Sequence, residues 1–154
     1  MEIRPAQPSD LSTISFIWVE RIALLQQTDS YFTPIPNAVQ VWEEQAQLWI
    51  DDSMVGFYVA EQDSQVLGYI VVTIVAGPVG LRPKHIGKIM DMGLDLHQAH
   101  RGLGGNLLNE AKSWLAEHDI RILTVDLPAR YPVEEAFWRS NGARLRFSEF
   151  WMVI

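Results

Sequence analysis

Asp91-Met92-Gly93-Leu94-Asp95-Leu96-His97-Gln98-Ala99-His100-Arg101-Gly102-Leu103-Gly104-Gly105-Asn106-Leu107-Leu108 is the stretch that decides the fold. Its first part closes the strand candidate Ile86 to Leu96. After the glycine turn, Leu107, Leu108, Ala111, Trp114 and Leu115 recur at the spacing of one helix face. A strand, a glycine turn and an amphipathic helix together form an arrangement suited to phosphate. The glycines let backbone approach an anion closely, the first helical turn offers unpaired N–H groups, and Arg101 adds a fixed cation. Such a turn also serves as a tight connection with no ligand, so the rest of the chain has to decide its meaning.

Upstream, Ile3 begins a short strand that Pro5 and Pro8 end, with Pro8 suited to a first helical turn and Asp10 near its positive end. Leu11, Ile14, Ile17, Trp18 and Ile22 mark a first helix. A loop with two prolines, Thr28 to Pro36, separates it from a second carrying Val39, Val41, Trp42, Ala46 and Trp49. Val55 to Ala60 and Val66 to Ala76 are β-prone runs around the turn Gln62 to Gln65, a hairpin pattern. Downstream, Ile120 to Leu127 suits a strand and Val133 to Ser140 a short helix ended by Asn141-Gly142. Leu145 to Ile154 suits a last strand. The reading is one α+β domain over residues 1–154, in the order β-α-α-β-β-β-α-β-α-β.

Composition narrows the function classes. The 154 residues are 48% hydrophobic and 20% charged, with six Trp and six Phe, a globular composition and not a disordered one. A net charge of −7 argues against a general nucleic-acid surface, though backbone amides can hold an anionic small ligand without net positive charge. The absence of cysteine removes disulfides and thiolate chemistry and suits a reducing compartment. The start, Met1 to Pro5, has no apolar signal-peptide core, and the longest apolar stretch, Tyr69 to Gly77, is too short to span a bilayer. A cytoplasmic protein with no membrane partner is the expectation.

Asp91-Met92-Gly93-Leu94, then Ala99-His100-Arg101-Gly102-Leu103-Gly104 and Leu107-Leu108, resembles the central Q/R-x-x-G-x-G/A motif of GNAT acetyltransferases. The opening Ile3-Arg4-Pro5-Ala6 with Asp10-Leu11, and the run Ala136-Phe137-Trp138-Arg139-Ser140-Asn141-Gly142, resemble that family's start and its A-x-Y-x-x-x-G helix. The resemblance implies a mixed, mostly antiparallel central sheet flanked by helices, and acetyl-CoA as cosubstrate. It assigns the cofactor site to Leu94, Asp95, Leu96, Ala99, His100, Arg101, Gly102, Leu103, Gly104, Gly105 and Asn106. In the family the turn amides hold the pyrophosphate and the strand edge pairs with the pantetheine arm. A bulge in that strand, which Gly93 would make easy, aims an N–H at the thioester carbonyl. A bulky anion at Gly104 would then exclude CoA.

Four positions depart from the pattern. Ala99 stands in place of Gln or Arg, leaving a phosphate contact missing or supplied by Gln98 or Arg101. Trp138 replaces the Tyr that protonates the leaving thiolate in many members, a role indole cannot take. Lys88 and Met90 stand where several members carry a base. Asp91 is therefore the candidate for the acceptor amine and its proton, by its match to an acidic position in relatives that modify cationic amines; the alternative is that it faces a helix or caps a turn. Tyr131 is the candidate acid at the sulfur, with packing at a sheet edge as its alternative. Tyr31 and Phe32 lie in the loop that borders the acceptor site in the family.

The implied reaction is acetyl transfer from acetyl-CoA to the amine of a small molecule or a peptide, by direct attack in a ternary complex. The competing classes are a non-catalytic acyl-CoA-binding module and a dinucleotide-binding oxidoreductase, the latter with Asp126 as a ribose-binding acid. His97 and His100 lack further ligands nearby, so no metal is expected. The Trp42 and Trp49 pair reads as core, and Glu43-Glu44 with Asp51-Asp52 as a solvated face. Family members pair through their C-terminal strands, and the apolar run Phe147 to Ile154 permits a homodimer.

Overall fold

A computed structural model describes residues 1–97 and 102–154 of the chain. Strands β1 (Glu2–Pro5), β2 (Val55–Gln62), β3 (Gln65–Ala76) and β4 (His85–Leu94) pair antiparallel in sequence order. The short β5 (Leu123–Val125) joins the far side of β4 in parallel. That parallel step needs a crossover, and α3 (Leu103–Glu117) supplies it. The remaining helices are α1 (Leu11–Thr28), α2 (Ala38–Asp51) and α4 (Pro132–Ser140).

The sheet is covered on both faces, which explains the unbroken apolar run in β3. Tyr69 and Val71 point into a core with Ile14 and Ile17 of α1 and Trp42 and Ala46 of α2. Leu67, Ile70 and Val72 face the opposite core, with Leu103, Leu107, Leu108, Ala111, Trp114 and Leu115 of α3 and Trp138 of α4. A central strand buried on both sides loses the apolar–polar alternation of a one-faced sheet. In α3 Leu103, Leu107, Leu108, Ala111, Trp114 and Leu115 form one stripe against the sheet, as the spacing predicts, whereas in α2 Trp42 and Ala46 bury but Val39 and Val41 are exposed.

Three local expectations change. Strand β5 is three residues long instead of running from Ile120 to Leu127. Strand β4 ends at Leu94, two residues before the expected limit. Residues 143–154 form no strand, and Leu145, Phe147, Phe150, Trp151, Met152, Val153 and Ile154 are exposed. A strand requires a ladder partner for its amides and carbonyls, and no described residue of the chain provides one here. The apolar pattern of that segment is real, but no described residue pairs with it as a strand.

Candidate active site

The site begins where β4 and β5 part. Strand β5 pairs only with Gly87, Lys88 and Ile89, so from Met90 to Leu94 the β5-side edge of β4 has no neighbouring strand. A bulge sits at the same place. In the β3–β4 register Val71 faces Asp91 and Val72 faces Ile89, leaving Met90 as the extra residue. The sequence pointed to Gly93 for this bulge; it falls three residues earlier. Its consequence is a change of face, because one extra residue reverses the two-residue alternation. Ile89 faces α3, and regular alternation would send Asp91 there too. The bulge turns Asp91 to the α1–α2 face, and Met92 and Leu94 return to the α3 side.

Gly93 has a different purpose. A Cβ there would lie 2.6 Å from Cε1 of Tyr69 and 3.0 Å from Cγ2 of Ile17. Gly93 and Tyr69 are direct ladder partners, so the absent side chain is the space the Tyr69 ring occupies. From there the Tyr69 hydroxyl reaches Asp91.

Asp91 has a side chain only 10% exposed. Its Oδ2 accepts from Nε1 of Trp42 at 3.0 Å and from the Tyr69 hydroxyl at 3.0 Å. Its Oδ1 accepts from the N–H of Met92 at 2.9 Å, with Nη1 of Arg21 at 3.7 Å. Burial raises the Asp91 pKa above the ordinary carboxylate value, and Arg21, Trp42, Tyr69 and the Met92 amide act against that rise. Burial also lifts the Tyr69 phenol well above its usual range, with the adjacent Asp91 charge adding to it. Arg21 is bidentate on Glu134 of α4, Nε to Oε1 at 2.8 Å and Nη2 to Oε2 at 3.2 Å. Burial works to lower the Arg21 pKa, but the Glu134 and Asp91 carboxylates outweigh it and raise it. A cation on α1 thereby ties β4 to α4.

Gly102 opens α3. Gly102 has φ +88°, a left-handed conformation that favours glycine, and gives the helix no side-chain cap. The Asn106 N–H returns to the Gly102 carbonyl at 2.9 Å. The amides of Leu103, Gly104 and Gly105 donate to no described residue outside the helix. Leu103 is buried in the core, whereas Asn106 is exposed. A Cβ on Gly104 would meet Phe137 at 3.0 Å and Met92 at 3.3 Å, so Gly104 faces the protein; one on Gly105 would meet nothing within 4 Å. Gly104→Glu would therefore disturb packing as well as any ligand, and Gly105 is the cleaner position to probe. Ala99, His100 and Arg101 lie outside the described residues.

Between strand and turn, the Asp95 N–H pairs with the Leu67 carbonyl at 2.8 Å, one residue beyond β4. Asp95 Oδ1 accepts the His97 N–H at 2.8 Å, and His97 Nε2 lies 2.8 Å from Oε1 of Glu20 on α1. The His97 pKa is raised by the hydrogen bond to Glu20. Leu96 is exposed, and Leu94 is half-buried against α3.

Tyr31 and Phe32 form a short turn of 3-10 helix, rings edge to face at 5.1 Å. Trp151 of the C-terminal segment meets Tyr31 at 4.7 Å and donates to Glu149. Neither loop aromatic packs into the two cores around the sheet. Tyr131 stands half-buried at the start of α4. Trp138 is buried in the α3-side core, where it packs and carries no proton chemistry. Lys88 pairs with the exposed Asp126 at 2.7 Å. The mostly antiparallel sheet removes the dinucleotide-binding alternative, which requires a parallel one.

Sequence reasoning missed Arg21, Trp42, Tyr69 and Glu134 as a group around Asp91. Arg21 left a signal: it falls four residues after Ile17 and seven after Ile14, on the buried stripe of α1, where a cation must find a partner. Tyr69 left none, being one β-prone residue among many.

Comparison with known proteins agrees with this geometry. Residues 21–142 match the family model described as acetyltransferase (GNAT) family. A mutant of the BH1408 protein from Bacillus halodurans superposes with TM-score 0.88 at 15% identity, with 100% of both chains covered. The aminoglycoside antibiotic 6'-N-acetyltransferase AAC(6')-IG from Acinetobacter haemolyticus superposes with TM-score 0.80 at 14% identity, covering 100% of this chain and 98% of that one. The aminoglycoside N-acetyltransferase AAC(6')-Iy in complex with CoA gives TM-score 0.69 at 13% identity, with 99% of each chain covered. No curated protein sequence matches the chain. A glycine turn opening a helix, a strand that bulges where its neighbour leaves it, and a family match spanning both establish that this chain belongs to the acetyltransferase (GNAT) family and is an acyltransferase.

Proposed function

We propose that the protein transfers an acetyl group from acetyl-CoA to the amine of a small molecule or a peptide, by direct attack within a ternary complex. The observation that carries this reading is the continuity of one unit: the open edge of β4 with its bulge leads directly to the uncapped start of α3. The amides of Leu103, Gly104 and Gly105 would hold the pyrophosphate, with Asn106 beside them, and Ala99, His100 and Arg101 are assigned to the same ligand by the family motif. The edge of β4 from Met92 through Leu94, with Asp95 and Leu96 beyond it, would pair with the pantetheine arm. The Met92 amide would donate to the thioester carbonyl, where negative charge develops on attack.

The amine nitrogen attacks the carbonyl carbon, the C–S bond breaks, the sulfur leaves as a thiolate, and the nitrogen gives up its extra proton to water as the amide forms. Asp91, its pKa raised by burial, is suited to take a proton from the acceptor ammonium directly or through one water. Tyr131 at the start of α4 would return a proton to the sulfur. Tyr31 and Phe32, with Trp151 against them, would contact the acceptor. The charge of −7 and the buried Asp91 favour a cationic amine over a neutral one.

Two further features belong to this reading. The exposed apolar segment 145–154 would be covered by a second copy in a homodimer. No helix among the described residues is long and apolar enough to cross a membrane, and the absence of cysteine fits a reducing cytoplasm. The direct test is release of free thiol from acetyl-CoA across a panel of polyamines, aminoglycosides and peptides. Amine-dependent release supports the reading, and acetyl-CoA binding without release on any amine contradicts it.

A further inference from the structure

Asp91 Oδ1 accepts the N–H of the next residue, Met92, at 2.9 Å. The Asp95 N–H pairs with the Leu67 carbonyl of β3, so by the alternation of an antiparallel ladder Met92 opposite Ile70 is a non-hydrogen-bonded position and its N–H does not face β3. A strand N–H that does not point to one neighbour points to the other side. On that side β5 has ended at the level of Ile89. The one edge amide bordering the bulge is thus covered by a carboxylate of its own chain.

We propose that Asp91 is a gate on the Met92 amide: its Oδ1 holds the donor that an acyl carbonyl takes, and passes to Arg21 when acyl-CoA binds. The proposal rests on the acyl-CoA reading above. Trp42 and Tyr69 both hold Oδ2, and because the carboxylate is rigid any movement of Oδ1 also bends these two bonds. Oδ1 accepts the Met92 N–H, and Nη1 of Arg21 lies 3.7 Å from it, beyond hydrogen-bond range. Arg21 is itself held, since Nε and Nη2 are committed to Glu134 and Nη1 is not. A small tilt of the whole carboxylate towards Nη1 would trade the amide for a guanidinium.

A thioester carbonyl is a weaker acceptor than a carboxylate, so it displaces Oδ1 only if the carboxylate gains another donor. Arg21 is that donor until an acceptor ammonium arrives. The consequence is order: acyl-CoA frees Asp91, and only then does Asp91 meet the amine. CoA, with no acyl carbonyl, leaves the gate shut.

The ratio of CoA to acetyl-CoA dissociation constants reads this directly, by calorimetric titration of both ligands into the full-length protein. In Asp91→Asn the amide oxygen faces the Trp42 and Tyr69 donors, and its NH2 faces Met92, from which it cannot accept. Preference for acetyl-CoA over CoA is expected to rise roughly three- to tenfold, the worth of about one net hydrogen bond. In Arg21→Gln the carboxylate loses its second partner, and the preference is expected to fall by about threefold or more. An unchanged or reduced preference in Asp91→Asn would overturn the gate. A rise there with no change in Arg21→Gln would overturn the hand-over to Arg21. Should Asp91→Asn fail to fold, Arg21→Gln decides alone, a fall supporting the proposal and no change overturning it. A wild type that binds neither ligand would remove the acyl-CoA reading, and this gate with it.

Discussion

The hydroxyl of Tyr69 donates to Asp91 from a ring that lies where the side chain of Gly93 would be. Three residues of two adjacent strands thus depend on one another: a glycine admits the ring, the ring carries the hydroxyl, and the hydroxyl holds the carboxylate at the bulge. The site is built by packing as much as by polar chemistry.

Gly93→Ala tests the first link. Its Cβ would lie 2.6 Å from Tyr69 and 3.0 Å from Ile17, both of them buried. Overpacking of this kind costs about 1–3 kcal/mol. Urea unfolding should show the loss, together with weakened turnover as Tyr69 shifts from Asp91. A variant as stable as the wild type would mean that the ring has room to move.

Asp91 and Asp10 should respond to pH in opposite senses. The folded-state value of Asp91 is raised by burial, so its contribution is fully present below about pH 4, the ordinary aspartate value, and is lost as pH rises through the raised value. Asp91→Asn should therefore gain stability relative to the wild type between pH 4 and 8. Urea midpoints across that range check the direction, and a constant difference would contradict the assigned cause.

Asp10 accepts from Arg4 at 2.8 and 2.9 Å and from the Gln7 N–H at 2.8 Å, and the Arg4 hydrogen bonds hold its pKa below the usual range. Its contribution is present above about pH 4 and lost as pH falls through the lowered value. Asp10→Asn should cost about 1.5–3 kcal/mol at pH 7, the range for hydrogen bonds to a charged group. The difference from the wild type should shrink in acid.

The order of elements was legible because its signals are local. Leu107, Leu108, Ala111 and Trp114 state a helix face regardless of what covers it, and Gly102 states a turn that only a glycine takes easily. The surroundings of Asp91 were not legible, since Trp42, Tyr69 and Arg21 come from three separate elements and meet only in the folded sheet. The position of the bulge was hidden for a related reason: it is a property of two strands in register, and Met90 carries no mark of it. The segment 145–154 shows the converse, a strand pattern that pairs with no described residue.

That segment yields a further prediction. If a second copy covers it, Phe150→Asp with Val153→Asp should convert a dimer to a monomer, because both side chains are more than nine-tenths exposed in the single chain and a buried charge opposes association. Light scattering coupled to gel filtration reads the mass. A wild type that is monomeric at all concentrations would exclude the homodimer.

The most direct measurement is titration of acetyl-CoA into the wild type and Gly105→Glu. A Cβ at Gly105 meets nothing within 4 Å, so the fold accepts the substitution while a carboxylate is placed beside the first amides of α3, which donate to no described residue outside the helix. The account predicts binding by the wild type and a loss of at least about tenfold in the variant, one like-charge contact of roughly 1.4 kcal/mol or more, with an unchanged melting temperature. Equal affinity in the two proteins would place the pyrophosphate elsewhere and contradict the assignment of the glycine turn.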